Sequence, residues 1–345
     1  MSSKTSMVEI EGKRLKLSNL DKVLYAEAGF TKAQVIDYYV RISHVLLPHL
    51  ENRPLTMKRY PEGSGGMFFY EKNCPKHRPE WLQTAKVWSE GNQRWQDYCV
   101  ICDVASLVWA ANLACLELHT SLSVAQDQKR PTMLVFDLDP GAPADIVQCC
   151  QVGLRVRAIF ERFRMQAFAK TSGSKGLQVY VPLNTPATYD QTKEFAHELA
   201  RLLERETPAE VTSLMKKDLR HGKVFVDWSQ NDEHKTTICV YSLRARERPT
   251  VSTPVTWQEV EECAKNKDAK LLVFEASQAI ERADQMGDVY EPVLTLKQKL
   301  PTIAALQKAF ARGEKPASPA RRQIAASAVP AKGSAKSSAK SKKRR

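Results

Sequence analysis

An α+β fold is expected from three observations. Short apolar runs end in isolated carboxylates, the longer segments between them carry helical periodicity, and residues 313–345 offer almost nothing to bury. At 345 residues and 43% hydrophobic content, the chain can bury one large core or two modest ones.

The elements follow in chain order. Thr31 suits the N-cap of a helix to about His49, with Val35, Tyr39, Ile42 and Leu46 on one face and Pro48 near its end. Asp103 to His119 also has a helical pattern (Leu107, Ala110, Ala111, Ala114, Leu118), which places His119 at a helix C-terminus. Residues 133–139, Met-Leu-Val-Phe-Asp-Leu-Asp, form an apolar strand that meets Pro140-Gly141. Pro143 begins a helix to about Arg164. Residues 171–183 are a small-residue loop running into a strand, and Asp190 to Glu206 is a helix with Phe195, Leu199 and Leu202 inward. A short hydrophobic strand then carries Asp227. Because helices separate these strands, the carboxylates should converge from several strands of one sheet.

On a strand, Asp137 and Asp139 point the same way. Two carboxylates repel by about 4 kcal/mol at ~4 Å and an effective dielectric near 20, so such a pair calls for a cation. Oxygen ligation suits Mg²⁺ or Mn²⁺ rather than zinc, and such ions commonly meet a phosphate substrate. A bare Asp-x-Asp also fits an edge strand with one solvated face; the apolar run and the Pro-Gly end favour a strand end opening into a site. In the loop, Gly173 and Gly176 allow close approach of a ligand, while Ser172, Ser174 and Lys175 supply donors for phosphate oxygens. It is not a Walker loop, because it lacks that spacing and leads into a strand. Three carboxylates with a Gly-Ser-Lys loop suit metal-assisted nucleotidyl transfer.

No apolar run reaches the length of a membrane span, and Met1-Ser-Ser-Lys-Thr-Ser lacks the stretch of a signal peptide. The eight cysteines are scattered, several in apolar segments, which suggests reduced thiols in a cytoplasmic protein. Cys74-x-x-His77 and Cys99-x-x-Cys102 have zinc-like spacing, but burial is the favoured reading. The net charge is +13, of which residues 313–345 supply +9 through ten Lys or Arg against Glu314. That segment reads as a disordered arm that neutralises phosphates.

Phe136-Asp137-Leu138-Asp139-Pro140-Gly141, Ser172-Gly-Ser-Lys-Gly-Leu177 and Val226-Asp227-Trp228-Ser229-Gln230-Asn231 resemble the three motifs of the polymerase domain of bacterial DNA ligase D. That domain is a branch of the archaeo-eukaryotic primase superfamily used in non-homologous end joining. The similarity extends through Leu17–Tyr25, Arg53-Pro54, Lys58-Arg59, Phe69–Lys72, Glu117-Leu-His119 and Tyr241–Arg246, over roughly residues 8–295. It implies a primase-polymerase core of mixed and antiparallel sheets forming a cleft flanked by helices. The expected organisation is a disordered N-terminus over 1–7, a catalytic domain over 8–300 and a linker with basic tail over 301–345. No ligase-type adenylation lysine motif or phosphoesterase module is evident, so a stand-alone polymerase is expected.

The resemblance also implies roles. Asp137, Asp139 and Asp227 would hold two Mn²⁺ or Mg²⁺ ions at the catalytic centre. Lys58, His119, Ser172, Lys175, Gln178, Lys217, Arg220, Gln230, Arg244 and Arg246 would contact the nucleoside triphosphate. Arg244 and Arg246, alternating on a strand, would share a face as a phosphate clamp. Phe69 and Tyr70 would stack on base and template, although Phe is commoner than Tyr at the second position. Asn19, Lys22 and Lys32 would hold the 5′-phosphate at the edge of a gap. One departure stands out: position 178 is normally His in this family, and Gln178 cannot become cationic or transfer a proton. The expected activity is template-directed, metal-dependent gap filling at double-stranded DNA ends, favouring ribonucleotides, beside Ku and a separate ATP-dependent DNA ligase. De novo primer synthesis and non-catalytic end bridging are the alternatives.

Overall fold

The computed structural model describes residues 5–311. The basic segment 313–345 lies outside the described residues, and so does its expected role as an arm. Residues 5–7, expected with the disordered N-terminus, belong to the strand Thr5–Ile10, which pairs with Lys13–Ser18. Residues 303–311, expected as linker, form the helix Ile303–Ala311, whose Leu306 is buried.

Two six-stranded sheets organise the fold. In the first, the strands run in the order Val211–Thr212, Val224–Asp227, Met133–Pro140, Leu177–Pro182, Phe168–Thr171, Pro254–Val255. All neighbours are antiparallel except the first pair. In the second, Thr237–Ile238, Cys115–Thr120, Leu55–Arg59, Arg94–Cys99 and Thr84–Ser89 lie side by side, and Phe69–Glu71 also pairs with Leu55–Arg59.

Period-two alternation explains why the first sheet ends in a site. Leu134, Phe136 and Leu138 enter one hydrophobic core, with Val179, Val226 and the helices Ile146–Arg162 and Tyr189–Glu206. Met133 and Val135, on the opposite face, enter the other core with the helices Lys32–Leu50 and Val104–Asn112. Further along that second face, the next two positions are Asp137 and Asp139. One strand therefore changes from core to site on a single face.

Helix starts follow side-chain capping. Thr31 with Gln34, Asp103 with Ser106, Asp145 with Gln148 and Thr188 with Gln191 each form a reciprocal capping box. Thr31 was expected as a cap. The helix expected from Pro143 instead starts at Ile146, because Asp145 provides the cap. The helix expected to run to His119 stops at Asn112, since Ala114 sits at φ 55° and Cys115–Thr120 pairs with Leu55–Arg59. His119 is therefore on a strand, not at a helix end.

Cysteine usage departs from expectation. Cys74 and Cys99 form a disulfide, so neither is a free thiol nor an available zinc ligand, while His77 is exposed. Cys115, Cys149, Cys150, Cys239 and Cys263 are buried free thiols, and Cys102 is half-buried. Among the described residues no helix is long and apolar enough to cross a membrane.

Candidate active site

Strand register lines up four side chains on one face of the first sheet. Lys170 pairs with Gln178, Gln178 with Asp137, and Asp137 with Asp227. Asp139 follows Asp137 two residues on. Burial and Asp139 push the Asp137 carboxyl up to about 7, with Asp227 adding to the rise and a hydrogen bond from Gln178 and the charge of Lys170 opposing it. Asp139 is likewise raised by burial and by Asp227, against Arg220 and Arg244. Asp227 is held by its own turn: Oδ1 accepts from the Ser229 N–H at 3.0 Å and its hydroxyl at 2.5 Å, and Oδ2 accepts from Gln230 Nε2 at 2.8 Å. Gln230, expected at the nucleotide, thus anchors a carboxylate.

Among the described residues no three His, Cys, Asp or Glu side chains converge as a ready coordination shell. The donor chemistry nevertheless fits a divalent cation. Hard carboxylate oxygens stand on adjacent strands, and their repulsion and burial are the cost that such an ion relieves.

The second sheet presents a cationic face organised by Glu117, part of the Glu117-Leu-His119 resemblance but without a role implied by it. Glu117 is 2% exposed. Its carboxylate meets His119 Nε2 at 2.9 Å, Arg244 Nε at 3.3 Å and Lys58 Nζ at 3.5 Å, and accepts from the Ala245 N–H at 3.1 Å. Burial alone would raise its pKa, but the His119 hydrogen bond and the charges of Arg244, His119 and Lys58 hold it well below the usual carboxylate range. Burial lowers the pKa of both His119 and Lys58, against the pull of Glu117. The alternation Glu-x-His on a strand was the available signal, hidden by reading that segment as helix.

Arg244 ties the sheets together, donating to the Ser172 carbonyl at 2.5 Å while facing Glu117. The expected clamp with Arg246 is not formed by a strand. Tyr241 sits at φ 60°, only Leu243 bridges to Val251, and Arg246 is exposed where Arg244 turns inward. Arg246 instead shares a cavity of about 580 Å³ with Gly173, Ser174, Lys175 and Arg248. Ser172 Oγ accepts from the Ser174 and Gly176 N–H groups at 3.2 and 3.1 Å, so it shapes the loop. Lys175 and Lys217 are exposed. Arg220 lies 3.7 Å over the Phe225 ring and acts electrostatically on Asp139.

The expected stacking residues Phe69 and Tyr70 are both exposed. Tyr70 meets His119 edge-on at 5.9 Å, and the Arg59 guanidinium lies 5.1 Å over Phe69. Phe68, which the sequence reading passed over, lies 4.3 Å below Lys58 Nζ. Lys22 and Lys32 come together: the Lys32 N–H donates to the Lys22 carbonyl at 2.8 Å. Lys32 is 6% exposed and donates to the Ser18 carbonyl at 2.6 Å. Burial, then Lys22 and Arg59, push its pKa down to about 8. Asn19, at φ 54°, starts the turn that leads into Lys22.

Comparison with known proteins gives concordant results. Residues 31–290 match the family model for the LigD primase-polymerase domain. The multifunctional non-homologous end joining protein LigD of Mycolicibacterium smegmatis is 38% identical over 301 residues, covering 86% of this chain and 38% of that protein. The bifunctional LigD of Bacillus subtilis is 33% identical over 249 residues, covering 72% of this chain and 40% of that protein. The chain thus spans about two fifths of the length of these relatives. The polymerase domain of Mycobacterium tuberculosis ligase D, solved in complex with DNA, superposes with a TM-score of 0.76 at 37% identity. That alignment covers 83% of this chain and 99% of the other. With carboxylates, Gly-Ser-Lys loop and fold in agreement, this chain belongs to the LigD primase-polymerase domain family.

Proposed function

We propose that this chain is a metal-dependent, template-directed nucleotidyltransferase that fills short gaps at DNA ends in bacterial non-homologous end joining. Its substrates would be nucleoside triphosphates, ribonucleotides preferred, and gapped duplexes bearing a 5′-phosphate. It would work beside Ku and a separate ATP-dependent ligase. The observation that carries the reading is the row of half-buried, mutually repelling carboxylates Asp137 and Asp227, with Asp139 on the same face. The DNA bound to the tuberculosis relative supports the choice of partner.

Mn²⁺ or Mg²⁺ held by Asp137, Asp139 and Asp227 would lower the pKa of the primer 3′-hydroxyl and neutralise charge on the α-phosphate and departing pyrophosphate. The protein's own groups supply the rest. Lys175, Lys217, Arg220 and Arg246 offer cations to the triphosphate, while Ser172 shapes the loop that presents Lys175. Glu117 holds Lys58, His119 and Arg244 in fixed positions. Exposed Phe69 and Tyr70 offer rings for base stacking, and Asn19, Lys22 and Lys32 offer donors to the 5′-phosphate.

The test is primer extension on a gapped, 5′-phosphorylated duplex with each metal and each sugar. Wild type should extend, ribonucleotides faster, while Asp137→Ala and Asp139→Ala should not extend yet still bind the duplex. Wild-type rates from both variants in Mn²⁺ would overturn the reading.

A further inference from the structure

Lys170 is 1% exposed, and an unpaired lysine in such a place is costly. Its Nζ contacts two groups. One is Ser252 Oγ at 2.7 Å, whose hydroxyl donates to the Thr171 carbonyl at 2.9 Å, leaving that oxygen free to accept. The other is Gln178 Oε1 at 2.5 Å. Burial pushes the Lys170 pKa down to about 7 against the pull of Asp137; in its ammonium form Nζ has donors and no acceptor, and Gln178 turns its carbonyl oxygen toward it. Its NH₂ group then points the other way along the row. There, Asp137 is its cross-strand neighbour, and the amide favours the charged form of that carboxylate. Gln178 is itself 3% exposed, so no bulk water competes for either end of the amide.

We propose that Lys170 is a positioning residue: it fixes the orientation of the Gln178 amide, which in turn fixes the rotamer of Asp137. The proposal rests on the reading of Asp137 as a metal-holding carboxylate and goes beyond it by naming what aims that carboxylate. The departure to Gln at position 178 becomes intelligible. An amide needs a partner that forbids the flipped orientation, in which its carbonyl would face the Asp137 carboxylate. Lys170, one strand away, is that partner.

The first readout needs no catalysis. In NMR spectra with side-chain amide ¹⁵N labelling, the Gln178 NH₂ signals, assigned by their loss in Gln178→Leu, should exchange slowly with solvent. In Lys170→Met, which keeps the apolar stem, they should exchange at least tenfold faster, with thermal melting confirming a folded protein. The second readout is direct Mn²⁺ binding followed by electron paramagnetic resonance. Lys170→Met and Gln178→Leu should each weaken Mn²⁺ binding about tenfold, the double variant should be no weaker than either single one, and Lys170→Arg should restore most of the loss. Should Lys170→Met fail to fold, Ser252→Ala carries the test, loosening Nζ and speeding amide exchange at least twofold. Unchanged amide exchange in the folded variants, or additive losses of Mn²⁺ binding, would overturn the proposal. A wild type that binds Mn²⁺ but never extends a primer would instead count against the polymerase reading, with these readouts still deciding the role of Lys170.

Discussion

Asp137 and Asp227 are direct cross-strand partners in the first sheet, two carboxylates facing each other where sheets usually pair opposite charges or apolar groups. Like charges so placed destabilise a sheet. The fold therefore retains a local instability, eased in part by Gln178 and Lys170, that a cation or a proton would relieve.

The pH dependence of stability follows. With its folded pKa pushed up to about 7 from 3.8, Asp137 binds its proton more tightly in the folded state than in the unfolded chain. Below the unfolded value both states are protonated and there is no penalty; as pH rises toward 7 the penalty grows, then levels. Asp137→Asn should therefore raise the melting temperature at pH 7.5 by at least about 2 °C, with the gain vanishing near pH 4. Divalent metal should raise the wild-type melting temperature and have little effect on the variant. Calorimetry across pH, with and without Mn²⁺, checks both statements.

Glu117 gives the opposite sign. Its depressed folded pKa supplies stability above the unfolded value of 4.5, lost as pH falls below it. Removing one partner from a buried charge cluster costs on the order of 3 kcal/mol. Glu117→Gln should destabilise by an amount of that order at neutral pH and by progressively less in acid, as urea titrations would reveal. Extension should slow as well, because Lys58, His119 and Arg244 lose a shared anchor.

Lys32 combines the proposed binding role with a destabilising one. Its folded pKa of about 8 lies below the ordinary 10.5, so the penalty is complete below pH 8 and fades as pH rises to the unfolded value. Lys32→Met should melt no lower than wild type at pH 7, yet lose preference for a 5′-phosphorylated gap over a hydroxyl one. In fluorescence anisotropy the wild-type preference should also decline above pH 8. A variant that keeps the preference would remove Lys32 from the proposed pocket.

Gln178→His installs the residue that the resemblance to the family leads one to expect there. An imidazole can accept from Lys170 on one nitrogen and donate to Asp137 from the other, so the row is retained. Extension should rise, chiefly through a lower KM for nucleotide. Equal or lower activity would mean that Gln178 with Lys170 already serves as well.

The sequence revealed the three carboxylates, the Gly-Ser-Lys loop and the three longest of the described helices, because local patterns encode them. The capping of Thr31 is such a pattern, as is the alternation of Asp137 and Asp139. It misplaced His119, since Ala and Leu spacing through 103–119 fits helix and strand alike, and only pairing with Leu55–Arg59 decides between them. The role of Glu117 and the row from Lys170 to Asp227 depend on strand register, which joins residues tens of positions apart. The disulfide of Cys74 with Cys99 was hidden likewise, each cysteine having a nearer zinc-spaced neighbour to mislead.

Gly141, at the end of the carboxylate strand, docks directly on the segment that carries Arg220. Its N–H donates to the Lys223 carbonyl at 2.8 Å, and its carbonyl accepts from the Gly222 N–H at 3.0 Å. A Cβ on Gly141 would lie 1.9 Å from the Arg220 carbonyl oxygen. The two backbones are thus clasped without a side chain between them. Arg220, whose charge acts on Asp139, is placed there by a fixed backbone contact. Even the smallest side chain at Gly141 would prise this clasp open, making it a position at which drift in sequence is barred by geometry alone.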